Sequence, residues 1–466
     1  MKLYNTLGRS LQDFDPSKDH VVTIYTCGPT VYDYQHIGNY SGYIYWDILV
    51  RLLKSQGYNV KRIMNITDVG HLVSDSDEGE DKLEKGAKRE GKTARQVADF
   101  YTDDFKKGMQ ALDLLEPEYA KATDYIPQQI EIIQKLVNQG FAYQEEQAIY
   151  FDVSKLDDYG RLTGQKLSEK EVGARDDVVA DSDKRHPQDF ALWFFRVGRF
   201  ADHEMHWPSP WGDGFPGWHI ECSAIVHTLL GDPIDIHTGG VDHIGTHHTN
   251  EIAQTEAAFG HPLAKFWLHN NHMMVDGKKI SKSLGNGLTL QDLEKKDYTA
   301  MDFKMLVLQS HYRSQSNFTW ETLEAAHNRL KKLRAMAVLN WQPVNQPAWL
   351  GESLNLEVIK NALSDDINTP LVLSSLSGIS ADLEERLLSI DDKPYFEEFI
   401  SFIDKALGLD LKNEDDINTE QKQTVTLREE ARKNQHWDKA DELREQLEKQ
   451  AIGLRDTDNG PIWYRL

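Results

Sequence analysis

Cys27 and Cys222 are the only cysteines in the 466 residues, and each lies within a dense run of reactive side chains. Cys27 ends an apolar run and precedes a glycine turn in TIYTCGPTVYDYQHIGN; Cys222 sits in PGWHIECSAIVH. His247 and Glu251 follow in THHTNEIAQ, spaced to share one face of a helix. Two thiolates, an imidazole and a carboxylate make a complete set of zinc-type ligands. A carboxylate beside two sulfurs is less usual than a Cys₂His₂ clip, and it points to a metal that works on a substrate. His248 competes with His247 for the imidazole place, less favourably because it stands i,i+3 to Glu251, and His243 competes as well. The plainer alternative is two small core residues, since an unpaired cysteine packs as an apolar side chain, beside a surface histidine and glutamate.

Two further groups have the makings of a phosphate site. His36-Ile37-Gly38-Asn39 stands where a helix should begin, and backbone N–H groups and the helix dipole favour phosphate there. Gly38 lets a phosphate or a flat base approach the backbone. Lys279-Ile280-Ser281-Lys282-Ser283, followed by Leu-Gly-Asn, offers two lysines three apart with hydroxyls between, a clamp for a polyphosphate. Taken singly, the first reads better as an ordinary helix start with a surface histidine and the second as a solvated lysine loop.

The elements that must hold these groups are legible in outline. VVTIYT predicts a strand, a helix starts near His36–Gly38 and ends at Gly57, and VKRIMNITD predicts the next strand. This β-α-β unit opens a parallel, doubly wound sheet. It lacks GxGxxG, so the nucleotide signal comes from elsewhere. The charged stretch 74–93 reads as a loop, and 94–140 as one long amphipathic helical stretch. AIYFDV, YGRLTG and ALWFF look like a β-rich insertion between two halves of the sheet, with a polar loop over 174–187. Residues 217–254 return to helix, strand and helix; after Asn286 the chain turns helical to about 410, and 412–421 reads as a linker. The end predicts two helices and a hairpin through Asn459-Gly460.

Composition narrows the class. No apolar run approaches the ~18–20 residues that span a membrane, and MKLYNTLGRSLQDF reads as a first strand and not a signal peptide. Two cysteines give no disulfide framework and suit a reducing compartment, so a cytoplasmic chain is expected. The net charge of −23 argues against a strongly electrostatic nucleic-acid binder. An RNA read by shape and by unstacked bases needs only local basic contacts.

These motifs together carry a resemblance. HIGN resembles the HIGH signature and KISKSLGN the KMSKS signature of class I aminoacyl-tRNA synthetases. Cys27, PGWHIECS and the His247/Glu251 pair resemble the cysteinyl-tRNA synthetase family within that class. NITD (65–68), DFALW (189–193), HYRSQ (311–315), DDINTP (365–370) and WDKADELREQL…GLRDT resemble family segments, so the likeness covers essentially the whole chain. It departs in Asn39, which replaces the second His of HIGH and keeps a donor but cannot become cationic, and in Ile280, which replaces Met. The segment after NITD also differs, in VGHLVSDSDEGEDK.

The resemblance implies a Rossmann-like catalytic domain in two parts (1–115 and 206–265) around an insertion (116–205). A KMSKS region (266–315), a helical bundle (316–411) and a C-terminal anticodon-binding domain (412–466) would follow. It implies condensation of L-cysteine with ATP, then transfer to the terminal ribose of tRNA(Cys). The ligands of one Zn²⁺ would be Cys27, Cys222, His247 and Glu251, and Mg²⁺ would accompany ATP. His36, Asn39, Lys279 and Lys282 would act in catalysis. Gly28, Gly38, Gly239, Gly240 and Asp242 would join His36, Asn39 and Lys282 around ATP; Thr67 and Trp218 would contact cysteine. Arg432, Trp437, Asp441 and Asp456 would read the anticodon. A monomer is expected. Two other readings compete: a ligase that joins cysteine to a sugar amine, which lacks the anticodon-type end, and a non-catalytic paralogue, against which the intact lysines and ligand set argue.

Overall fold

A computed structural model describes residues 1–72, 79–164, 183–281, 284–350, 354 and 356–466. The chain forms two compact units. The first comprises Met1–Met274, Lys279–Leu290 and Tyr312–Gln315; the second comprises Val275–Lys278, Gln291–His311 and Ser316–Leu466.

The first unit opens with a hairpin, β1 (Lys2–Asn5) and β2 (Ser10–Asp13), and continues with β3 (Val21–Thr26), α1 (Ile37–Ser55) and β4 (Asn59–Ile66). The expected strand, helix and strand therefore form. Helix α1 is buried on almost every side, from Ile37 to Leu53, as suits a helix that is apolar all round. Downstream come α2 (Lys82–Glu90), α3 (Ala94–Ala111), β5 (Glu118–Lys121) and α4 (Ile126–Asn138). An antiparallel group follows: β6 (Ala142–Gln144), β7 (Ala148–Phe151), β8 (Phe190–Phe195), β9 (Trp207–Ser209) and β10 (Gly212–Pro216). Then come α5 (Trp218–Leu229), β11 (Ile234–Gly240), α6 (His247–Phe259) and β12 (Ala264–Asn270).

The parallel sheet has the order β12-β11-β3-β4-β5. The insertion forms a separate antiparallel sheet, β6-β7-β8-β10-β9, so the β-rich insertion between two halves of the main sheet is present. In a doubly wound sheet, ligands gather at the carboxyl ends of the strands where the order reverses. Here β3 and β11 are neighbours in the middle of the sheet, and their carboxyl ends carry Cys27 and Gly239-Gly240.

Four local expectations are corrected. Helix α2 occupies part of the stretch read as a loop: Asp81 caps it by accepting from Leu83 N (2.7 Å) and Glu84 N (3.2 Å), and Gly91 ends it at φ 63°. Its buried side is only Leu83, Gly86 and Ala87, too few apolar residues to show a period in a charged sequence. Residues 73–78 lie outside the described ones. The long helical stretch is broken by β5, because Pro117 removes a helical donor and biases Glu116 to an extended backbone. YGRLTG is a run of turns, with Thr163 N on Gly160 O at 2.9 Å and Gly164 at φ 67°. Of the loop read over 174–187, residues 174–182 lie outside the described ones.

The second unit is helical through Ala300–Leu308, Trp320–Ala337, Leu356–Ser364, Thr369–Arg386 and Lys393–Leu407. Helices Thr419–Lys433 and Trp437–Glu448 and an antiparallel hairpin, Ile452–Thr457 with Gly460–Arg465, close it as expected. The fourth correction is here: 412–421 is no loose linker. Ile417 is buried in a cluster with Val338, Leu447, Ile452, Leu454 and Trp463, and Glu414 O accepts from Trp341 Nε1 at 2.9 Å.

Candidate metal centre and nucleotide site

Cys27 follows the last residue of β3, Cys222 lies in the second turn of α5, and His247 and Glu251 lie in the first turns of α6. Sγ of both cysteines, a nitrogen of His247 and an oxygen of Glu251 all lie within 4.8 Å of one another, and all four residues are buried. Cys222 Sγ is 3.4 Å from His247 Nε2, which is 3.0 Å from Glu251 Oε1. Zinc-type bond lengths imply tetrahedral edges of roughly 3.5 Å between sulfur and nitrogen and roughly 3.4 Å between nitrogen and oxygen. Apart from its contact with His247, Glu251 Oε1 is a buried oxygen without a hydrogen-bond partner, as suits a metal ligand. These residues fit one tetrahedral metal.

A second set, Cys27, His237, His248 and Glu251, also converges. Its spacings are those of hydrogen bonds: Cys27 Sγ to His248 Nε2 is 3.1 Å, and His237 Nε2 to Glu251 Oε2 is 2.8 Å. His237 thus holds one carboxylate oxygen while the other faces the ligand cluster. His248 runs from Cys27 back to His269 Nε2 (2.8 Å), whose Nδ1 meets Thr6 Oγ1 (2.8 Å). His219 Nδ1 meets His247 Nδ1 at 2.9 Å. The surrounding histidines therefore orient the ligands, the usual work of groups behind a metal. Sequence spacing nominated His248 and His243 only as rival ligands and did not reveal His219, His237 or His269; the WHIEC, DIHTGG and FWLHN segments that carry them gave no separate metal signal.

The electrostatics match a site built for positive charge. Burial works against a charged His247, but Glu251 and the Cys27 sulfur outweigh it and raise its pKa to about 10. Burial pushes the Cys222 thiol well up. Burial would also raise Cys27, but the hydrogen bond from Cys222 and the adjacent His248 carry it well down.

Beside the cluster, with Glu221 Oε1 3.8 Å from Cys222 Sγ, lies a buried polar group. Thr67 and Asn65, at the end of β4, meet Glu221 of α5, and all three are buried. Burial pushes the Glu221 carboxyl up to about 8. Trp218, half-buried, is stacked between His71 (centroids 3.9 Å apart) and His247 (4.1 Å). Gly28 is obligatory: a Cβ there would stand 1.8 Å from Asn65 O.

The structure brings the two phosphate motifs together. Ile37 N donates to Leu288 O at 2.8 Å, and a Cβ on Gly38 would meet Ile280 Cδ1 at 2.8 Å. Asn286 braces this segment, accepting from Ser281 N (2.9 Å) and donating to Lys279 O (3.2 Å). Lys279 is exposed, and Lys282 lies outside the described residues. His36 and Asn39 cap α1 reciprocally: Asn39 N donates to His36 Nδ1 and His36 N to Asn39 Oδ1, both at 3.2 Å. A neutral His36 therefore carries its proton on Nε2. Gly239 and Gly240 end β11, where a Cβ on Gly239 would strike the His243 and His248 rings; Asp242 lies 3.3 Å from His272 Nδ1.

In the second unit, Asp456 is gripped by Arg428 through both oxygens (2.9 Å at Oδ2) and by Arg432. Sequence reading missed Arg428, one helical turn before Arg432. Asp441 is exposed, and Trp437 is 58% exposed, so it is no helix-packing core residue.

Comparison with known proteins bears on this arrangement. Residues 13–328 match the family described as tRNA synthetases class I (C) catalytic domain. The chain is 38% identical to a cysteine–tRNA ligase of Treponema denticola over 100% of both chains. It is 40% identical to cysteine–tRNA ligase 1 of Burkholderia lata over 99% of this chain and 96% of that one. Among solved structures it resembles Mycobacterium tuberculosis methionyl-tRNA synthetase in complex with methionyl-adenylate (TM-score 0.60, 15% identity, 84% of this chain and 92% of that one). It also resembles a putative arginyl-tRNA synthetase from Campylobacter jejuni (TM-score 0.54, 14% identity, 85% and 93%). At such low identity the structures speak for the fold alone, a class I synthetase fold with its Rossmann-like sheet. The full-length sequence relatives speak for more, and by them the chain belongs to the cysteine–tRNA ligase family of class I tRNA synthetases.

Proposed function

We propose that the chain ligates L-cysteine to tRNA(Cys) in two steps. In the first, a carboxylate oxygen of cysteine attacks the α-phosphorus of Mg²⁺-bound ATP; a new C(O)O–P bond forms and pyrophosphate leaves. In the second, a ribose hydroxyl of the tRNA 3′ adenosine attacks the carbonyl carbon and AMP leaves. The observation that carries the reading is the convergence of Cys27, Cys222, His247 and Glu251, together with the contact between the HIGN and KISKS segments.

Zinc held by these four residues would favour the thiolate of cysteine, for which a serine hydroxyl is a poor substitute. The chain's own groups do the rest. Trp218 covers the side-chain end of the pocket, and Thr67 contacts the substrate beside it. The α1 N-terminus, with His36 Nε2–H and the Asn39 amide, donates to the ATP phosphates. Gly28, Gly38, Gly239 and Gly240 keep side chains out of the nucleotide's way, and Asp242 takes the ribose. Lys279 and Lys282 neutralise the departing pyrophosphate. Activation is positioning plus charge stabilisation and needs no proton from residue 39, so Asn39 is compatible with activity. Arg432, Trp437, Asp441 and Asp456 serve the anticodon.

A cysteine-dependent ATP–pyrophosphate exchange assay, paired with charging of a tRNA(Cys) transcript, tests the proposal. Both activities are expected. Exchange without charging would favour the ligase that acts on a sugar amine, and neither activity would favour a non-catalytic binding protein.

A further inference from the structure

We infer that Glu221 is a positioning residue that fixes the hydroxyl of Thr67 as a hydrogen-bond acceptor for the ammonium group of the amino-acid substrate. The inference rests on the proposed function and deepens it. Its starting point is a group whose polarity cannot change. Gly28 N–H can only donate, and it donates to Asn65 Oδ1 at 2.7 Å. That orients the Asn65 amide, so Nδ2 faces Thr67 Oγ1 at 3.0 Å and Glu221 Oε1 at 3.1 Å. Nδ2 too can only donate, so Thr67 accepts from it.

The Thr67 proton must then go elsewhere, and Glu221 Oε1 lies 2.5 Å away. That oxygen accepts from both neighbours. A hydroxyl has one proton and two lone pairs. Thr67 has its proton and one lone pair committed, which leaves one lone pair. Such a hydroxyl welcomes a donor such as an ammonium group and offers nothing to a carboxylate. Asn65 (2% exposed), Thr67 (1%) and Glu221 (1%) lie too deep for bulk water to scramble this order. Glu221 Oε2 is buried with no hydrogen-bond partner. A carboxyl group thus stands at a buried position with half of it unsatisfied, which a packing role does not require.

The test uses full-length, zinc-loaded protein and two probes, L-cysteine and 3-mercaptopropionate, which lacks the ammonium group. Binding is measured by calorimetry, and KM and kcat by pyrophosphate exchange. Glu221→Leu is expected to weaken cysteine binding about tenfold or more and to leave 3-mercaptopropionate within about twofold. The cysteine KM should rise with kcat changed less than about threefold, and zinc content should stay the same. Glu221→Gln can present its carbonyl oxygen to Thr67 and should restore cysteine binding. Thr67→Val should reproduce the defect, and the double variant Glu221→Leu/Thr67→Val should be no weaker than Thr67→Val alone. Equal weakening of both probes, a Gln variant as poor as Leu, or additive effects would overturn the inference. If Glu221→Leu does not fold, Thr67→Val must lose the preference for cysteine and Glu221→Gln must keep it, and any other pattern overturns the inference. Wild-type protein that neither binds cysteine nor exchanges pyrophosphate would overturn the proposed function itself, and this inference with it.

Discussion

The ligand cluster and the C-terminal hairpin both collect charged and aromatic side chains, but they handle water in opposite ways. Around Cys27 and Cys222 the polar groups are mostly buried, and His247, His237 and His248 each meet another side chain behind them. Around Asp456 the arginines neutralise one carboxylate at a half-open surface while Trp437 faces solvent. The first arrangement suits a small ligand whose discrimination depends on excluding water, because buried polar groups left unpaired are costly. The second suits a large partner that supplies its own surface: an exposed ring on which a base can stack and arginines held in place until contact.

Four measurements would sharpen or break this contrast. The largest effect is expected at the buried cluster. Cys222→Ser or His247→Ala should remove the metal, about one per chain in the parent protein. Preference for cysteine over serine should fall from roughly 10⁴–10⁵ toward about 10². Metal analysis with exchange assays on both amino acids checks this, and a variant that keeps full preference would refute the role given to the cluster. Next, Lys282→Ala should lower kcat for adenylate formation by roughly 10²–10³ with little change in cysteine affinity, the scale for one transition-state donor. Unaltered kcat would make the lysine segment a surface loop.

At the exposed end, Trp437→Ala or Arg432→Ala should reduce charging about 10–100-fold at low tRNA concentration while exchange stays at the parent rate. Point substitutions are the right tool, because removing the end after residue 411 would uncover Val338, which packs on Ile417, Leu447 and Ile452. Loss of exchange in these variants would show that the region supports the catalytic fold instead. The smallest effect concerns pH. The hydrogen bond from Arg428 holds the Asp456 carboxyl below its usual value. Its stabilising contribution is therefore fully present above about pH 4, the ordinary aspartate value, and is lost as pH falls through the depressed one. Asp456→Asn should flatten the acid limb of thermal stability below about pH 4. An unchanged limb would mean the pair is only a surface contact.

Legibility followed the same divide. The strands and helices around Cys27 and α1 could be read because burial imposes apolar runs of definite length, and the spacing of His247 and Glu251 is itself a geometric statement. Helix α2 was hidden because its buried side is only Leu83, Gly86 and Ala87. β5 was hidden because an edge strand of four residues has almost no period. The histidines behind the ligands were hidden for a different reason. His237 and His269 come from strands and His219 from α5, and only the fold brings them to one point. Arg428 was missed because its partner Asp456 lies 28 residues on, in the first strand of the terminal hairpin, and only the fold brings helix and strand together.

The chain order of the four ligands also constrains events during synthesis. Cys27 leaves the ribosome first, whereas His247 and Glu251 follow only after the whole antiparallel insertion and α5 have been made. At ordinary translation rates that interval is on the order of 10–50 s. During it the first thiol is present without the imidazole and carboxylate that would complete its site. On the proposed function, metal loading would therefore be an event of the nearly finished first unit, and a nascent chain stalled before α6 should hold zinc no more tightly than an unstructured peptide bearing two cysteines.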